Sequence, residues 1–310
     1  MIYDILEDLE AFFYDNSDKI SDSDYRFIKK FMALIIRFYD EDSYESKELC
    51  CKLKMAFSYE FEKSFLSSAD YFIDIYEEIK DTDKLPYSEK NEAKKFFQNK
   101  KAKMKYNHAR SYYYDKDYNE SINLFKDYID DKYMTSDIKL NCRIGLIDSL
   151  LGYGQENYKN ESYWNARENF EEVLNILNNY CEVRNRYINP PYKFTKHKLS
   201  EALVGIAKEN WKNTLNSMET SIDYLRKAKN ISSDVYNLEK YLRVTQLYYY
   251  LYKAYYESSS NRTSNLDISR KFKTDGHSFS AFNGLIGDEG IGDVNYLYNK
   301  SRNKIILKVK

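Results

Sequence analysis

Proline is nearly missing from this chain. The three prolines are Pro86, Pro190 and Pro191, and nine glycines accompany them in 310 residues. All-β folds need turn residues roughly every 8–12 positions, so this sequence cannot punctuate one. Long proline-free stretches with apolar stripes and polar intervals form helices. The fold class that follows is all-α.

The stripes bear this out from the first residues. Ile2, Ile5, Leu6, Leu9, Phe12 and Phe13 recur at i, i+3 and i+4 spacing, which places them on one helical face. Asp22 or Ser23 can cap a second helix carrying Phe27, Phe31, Leu34, Ile35 and Phe38, and Ser43 can cap a third. A fourth is expected over about 58–80, ending at the break Asp81-Thr82-Asp83-Lys84-Leu85-Pro86. Beyond it, a long helix from Ser88 to Tyr114 meets the short gap Asp115-Lys116-Asp117 and a second helix reaching Asp130.

Within that helical hairpin stand Ala109, Tyr112, Tyr118, Ser121 and Phe125. This pattern resembles the tetratricopeptide repeat, a helical hairpin with small residues at the crossing and aromatics around the turn. Tyr163, Ala166 and Phe170 repeat the aromatic–small–aromatic spacing, although Gly152 to Ser162 reads as an inserted loop. A looser third copy holds Leu199, Ala202, Leu203, Ile206 and Ala207, then Met218, Ser221, Ile222, Leu225 and Ala228. The resemblance implies an α-α superhelix of stacked hairpins over 86–258, preceded by a helical segment over 1–85. Residues 259–310 read as an irregular or β-prone tail. They begin with a serine run, hold five glycines between Gly276 and Gly292, and end in Lys304–Lys310, which can pair with Val294–Tyr298 as a hairpin.

Thirty-three tyrosines suit partly enclosed faces, because the ring packs while the hydroxyl reaches water. The net charge of −1 gives no global attraction to nucleic acid or an anionic membrane. The acidic start lacks the basic and apolar regions of a signal peptide, and no apolar run approaches a membrane span. A cytoplasmic protein is the expectation. Cys50, Cys51, Cys142 and Cys181, with His108, His197 and His277, show no metal-ligand spacing. No nucleotide-binding, nucleophile-elbow or zinc-protease motif occurs. Neither an enzyme nor a cofactor is expected.

Two basic stretches remain: 93–110, with seven Lys or Arg, and 184–198, with five. The resemblance implies that the first helix of each hairpin lines a concave groove. Its groove places fall on Lys103, Tyr106, Asn107, Arg110, Tyr113 and Tyr114. Asn can bond a peptide backbone, Arg a carboxylate, and Tyr supplies rigid contact area. The expected function is therefore a scaffold binding an acidic or C-terminal peptide, or a partner helix. Two alternatives stand beside it: nucleic-acid association through the basic stretches, and a regulatory subunit of a larger complex.

Overall fold

In the computed structural model the described residues are 2–39, 43–180, 182–183, 191–211, 214–256 and 259–272. Among them are twelve α-helices and no strand. They are α1 (Ile2–Asp15), α2 (Asp22–Phe38), α3 (Tyr44–Phe61), α4 (Phe65–Asp81), α5 (Tyr87–Tyr114) and α6 (Tyr118–Asp130). Then come α7 (Ser136–Lys159), α8 (Tyr163–Asn179), α9 (Pro191–Asn210), α10 (Leu215–Ile231), α11 (Leu238–Tyr256) and α12 (Ser259–Phe272). Neighbours in sequence pack together from α3 through α6, and again from α8 through α12. None of these helices is long and apolar enough to cross a membrane.

Local chemistry starts the helices. Ser21 accepts a hydrogen bond from the Asp24 amide, Ser43 from that of Ser46, Asp117 from that of Glu120 and Thr214 from that of Ser217. Each cap satisfies an amide that has no partner within its own helix. The first cap is Ser21, just ahead of the Asp22 and Ser23 that the stripe suggests.

Three of the turns are built alike. Between α3 and α4, Lys63 adopts φ 62°; between α5 and α6, Lys116 adopts 64°; between α7 and α8, Glu161 adopts 59°. The residue after each is Ser64, Asp117 or Ser162, with φ near −80° and ψ of 67°, 71° and 65°. Its amide reaches back five residues, to the carbonyls of Tyr59, Tyr112 and Asn157 at 2.9, 2.9 and 2.8 Å. The left-handed residue's amide reaches back three, at 3.1 Å each time. This is the Schellman arrangement, and the residue that closes it also starts the next helix.

The helix crossings repeat as well. Ser68 Oγ donates to the carbonyl of Ala56, Ser121 Oγ to that of Ala109, and Ser221 Oγ to that of Ala207. All six residues are fully buried. Small residues let the two backbones approach, and the hydroxyl stays bonded inside. A large apolar side chain follows four positions after each serine: Phe72, Phe125 and Leu225. In the α7–α8 hairpin Gly154 and Ala166 take the two small places, and Phe170 follows. A shift of 53 positions brings Ala56, Lys63, Ser68 and Phe72 onto Ala109, Lys116, Ser121 and Phe125. A further 45 reaches Gly154, Glu161, Ala166 and Phe170. In the α9–α10 hairpin the two small residues lie 14 apart instead of 12.

Three expectations change. The helix expected over 58–80 breaks at residues 62–64, and α3–α4 is a hairpin of the same build as α5–α6. The loop expected over Gly152–Ser162 is helix as far as Lys159, leaving a three-residue turn. Gly154 is no loop residue: it gives room to the Phe170 ring, which lies 2.7 Å from where a Cβ would stand. The tail expected from residue 259 begins as α12. Leu266 is buried in a cluster with Val244, Leu247 and Leu251, and Arg262 Nε donates to the last-turn carbonyl of Ala254 in α11 at 3.0 Å. Tertiary burial thus overrides the low helix propensity of the serine run. The hairpin expected within 294–310 lies outside the described residues.

The chain divides into two compact units between Ser149 and Leu150, inside α7. In the first, Leu6, Leu9 and Phe13 of α1, Phe31 of α2, Phe57 of α3, Phe72 of α4 and Phe97 of α5 share one core. Across the boundary expected at 85/86, α4 and α5 pack on each other. In the second, Phe170, Leu199, Leu203, Ile206, Leu225 and Leu242 form one core, and Tyr248, Leu251 and Leu266 belong to a neighbouring one.

Candidate functional site

Helix α5 is 28 residues long. Its buried side holds Ala93, Phe97, Ala102, Met104 and Ala109. Lys103, Tyr106, Asn107, Arg110, Tyr113 and Tyr114 fall at i, i+3, i+4, i+7, i+10 and i+11, which is a single face. The structure brings all six onto that face. Lys103 is exposed, and Tyr114 keeps 68% of its surface. Tyr106, Asn107, Arg110 and Tyr113 are half-buried.

Arg110 is already engaged. Its Nη1 donates to Asp148 Oδ2 of α7 at 2.8 Å, and its Nε to the Tyr114 hydroxyl at 3.3 Å. The guanidinium lies 4.7 Å from the centre of the Tyr113 ring and 5.1 Å from that of Tyr114. Burial disfavours its charge, but the hydrogen bonds of Asp148 and Tyr114 outweigh this and hold its pKa above the ordinary value. The expected free carboxylate receptor is therefore a braced cation, able to stack and to offer its remaining donors. Tyr106 rests on Phe125, ring centres 5.9 Å apart, and burial raises its phenol pKa despite nearby Arg110. Burial likewise raises that of Tyr113. Both phenols stay neutral at physiological pH. Asn107 and Lys103 have no hydrogen-bond or ion-pair partner among the described residues.

The two basic stretches do not form basic faces. Lys100 is 4% exposed and buried in a triad, its Nζ 2.9 Å from Asp24 Oδ2 and 2.9 Å from Glu60 Oε2. Lys101 is 6% exposed, its Nζ 3.5 Å from the centre of the Tyr133 ring, and burial lowers its pKa to about 8. Lys105 pairs with Asp131 and Arg110 with Asp148. Lys94, Lys95 and Lys103 make no ion pair among the described residues. In the second stretch, residues 184–190 lie outside the described residues. Beyond them Lys198 pairs with Glu201, and His197 Nδ1 lies 3.2 Å from Asp234.

Sequence reasoning missed Asp148, which lies 38 residues from Arg110. The repeat register carries the signal. A shift of 45 positions puts Asp148 in α7 at the place Lys103 holds in α5. Among the described residues no three His, Cys, Asp or Glu side chains assemble into a metal-ligand set. Cys50, Cys51 and Cys142 are free thiols, and burial raises those of Cys50 and Cys142 to about 12, leaving them unreactive. No family model matches this chain, and no curated protein matches it. The α5 face therefore has to be interpreted from its own chemistry.

Proposed function

We propose that the chain is a protein-interaction module built of tetratricopeptide-like hairpins, and that the α5 face binds a peptide or a partner helix. The repeated Schellman turn and the buried small-residue crossing support the family likeness. The spacing between hairpins, 53 and then 45 residues, exceeds the 34 of a strict repeat. The likeness is thus one of hairpin construction.

One observation carries the function. On α5, Lys103 and Asn107 stand with no side-chain partner among the described residues, beside the exposed ring of Tyr114 and an arginine held by both Asp148 and Tyr114. Rigid aromatics and preorganised Arg are what binding hot spots are made of, because little side-chain entropy is lost on contact. The internal pairing of Lys100, Lys101, Lys105 and Arg110 leaves few cations for phosphates, so nucleic acid is the weaker reading.

Arg110→Ala is a poor test, since it also strips Asp148 of its partner. The double variant Lys103→Glu, Asn107→Ala touches only what the fold does not use. Expected is an unchanged unfolding midpoint, with loss of the proteins that the wild-type chain captures from its native lysate. Identical capture by wild type and variant would remove the reading. Salt-sensitive RNA binding, lost in the same variant, would replace it with the nucleic-acid alternative.

A further inference from the structure

The repeat register shows what already lies on one such face. Shifting the α5 face back by 53 positions lands on α3, with Lys54 in place of Asn107, Phe57 in place of Arg110 and Phe61 in place of Tyr114. The two phenylalanines pack against α1, and Lys54, itself exposed, lies over an α1 ring. Phe13 meets Phe57 edge-on at 5.1 Å, Phe12 stacks on Phe61 at 5.8 Å, and Lys54 Nζ sits 5.8 Å over the Phe12 ring. Leu6 and Leu9 of α1 are buried in the same core. The first hairpin thus carries on its groove places an amphipathic helix of its own chain, with Asp4, Glu7, Asp8 and Glu10 exposed on the far side.

We infer that the α5 face receives the same kind of occupant from a partner: an acidic amphipathic helix with an adjacent aromatic pair. The inference rests on the groove reading above and adds the identity of the ligand class. In the α1 geometry, the first aromatic ring falls between Asn107 and Tyr114, and the second on Arg110. A guanidinium already flanked by Tyr113 and Tyr114 is a stacking partner for that ring. Lys103, exposed and without an ion pair among the described residues, adds a positive charge that attracts an acidic helix to this face at longer range. The α5 face is more polar than its α3 counterpart, which suits an occupant that comes and goes and keeps the face soluble when empty.

The test uses the full chain and a fluorescein-labelled peptide copying residues 1–18, read by anisotropy. A second peptide carries Asp4→Lys, Glu7→Lys, Asp8→Lys and Glu10→Lys, and a third carries Leu9→Pro, which prevents the helix. The first peptide is expected to bind saturably, and Lys103→Glu or Tyr114→Ala in the protein to weaken it about five- to tenfold. The charge-reversed and proline peptides are expected to bind at least about tenfold more weakly. Equal binding of acidic and reversed peptides overturns the proposal. So does absence of binding, or sensitivity to Lys54→Glu in place of Lys103→Glu, which would mean exchange with the resident α1. Equal binding of the proline peptide through Lys103 and Tyr114 overturns the helix while the groove reading stands. Face-independent capture in the lysate experiment removes the groove reading itself.

Discussion

Gly145→Ala is expected to destabilise this protein, although the same change in an ordinary helix interior stabilises it. Gly145 lies within α7. A Cβ there would stand 2.3 Å from Phe125 Cζ and 2.7 Å from both Cε atoms. Carbon contacts settle at about 3.5–4.0 Å, so ring and methyl must part by roughly 1.2 Å. The ring has no slack, since Phe125 is fully buried and packed by Tyr106. Overpacking of this size costs about 1–3 kcal/mol, and its severity places it near 3. Alanine returns about 1 kcal/mol of helix propensity. The net loss is about 2 kcal/mol. Urea unfolding followed by far-UV circular dichroism measures it, with midpoints compared at equal slope. Phe125→Leu removes the ring and supplies the control: in that background Gly145→Ala should stabilise by up to about 1 kcal/mol, as a plain helix substitution does. A gain in stability from Gly145→Ala alone, or the same loss in both backgrounds, would refute the ring–backbone contact as the reason for this glycine.

Three further outcomes follow from the same structure. Lys63, Lys116 and Glu161 hold left-handed backbone that costs a non-glycine residue about 1 kcal/mol; changing each to Gly should stabilise by roughly 0.5–1 kcal/mol, read by thermal unfolding, whereas Ala should give nothing. Lys101 loses its proton near pH 8 in the folded chain but near 10.5 when unfolded; the unfolded state therefore binds more protons between those values, and stability should climb with pH across that window by up to about 3 kcal/mol. Lys101→Met should be more stable at neutral pH and lack this climb, judged by the difference between the two pH profiles, in which common tyrosine ionisation cancels. Lys100→Met leaves Asp24 and Glu60 facing each other without their cation, at an expected cost of about 3 kcal/mol in urea unfolding, and adding Asp24→Asn and Glu60→Gln should recover most of it; no recovery would show that packing, not charge, is what Lys100 supplies.

The all-helical fold was legible because it depends on what the chain lacks and on local stripes, both of which are linear properties. The α5–α6 hairpin was legible because Asp117 caps and Ala109, Ser121 and Phe125 all point to one crossing. The equivalent hairpin at α3–α4 carries the same spacing in Ala56, Ser68 and Phe72, but its turn, Glu62-Lys63-Ser64, contains no glycine, asparagine or proline to announce it. Turn chemistry signals a break only when the cheap residue is used; here lysine accepts the left-handed conformation and the break is silent. Gly152 and Gly154 misled in the opposite sense. A glycine is read as a backbone requirement, yet Gly154 answers the ring of Phe170 on the next helix.

The α5 face shows the same division between local and non-local information. The repeat resemblance chose six side chains of α5, and they share one face of that helix. It could not say which of them the fold itself consumes. Lys100, Lys101 and Lys103 follow one another closely in a stretch without a carboxylate, yet the first is bound in a triad, the second lies under a tyrosine ring, and only the third is left to solvent. Helical rotation separates them by about 100° per residue, and the acidic partners come from α2, α3 and the segment after α6. A basic run on a helix that packs on several sides is thus divided among its neighbours, and its net charge says little about its surface. What remains outward on the 103–114 face of α5 is the remainder after internal pairing: one lysine without an ion pair among the described residues, one amide, one exposed tyrosine and an arginine fixed by Asp148. A remainder of that kind is sparse in charge for a polyanion and rich in aromatic surface, and that is the ground on which we propose a protein helix as its occupant.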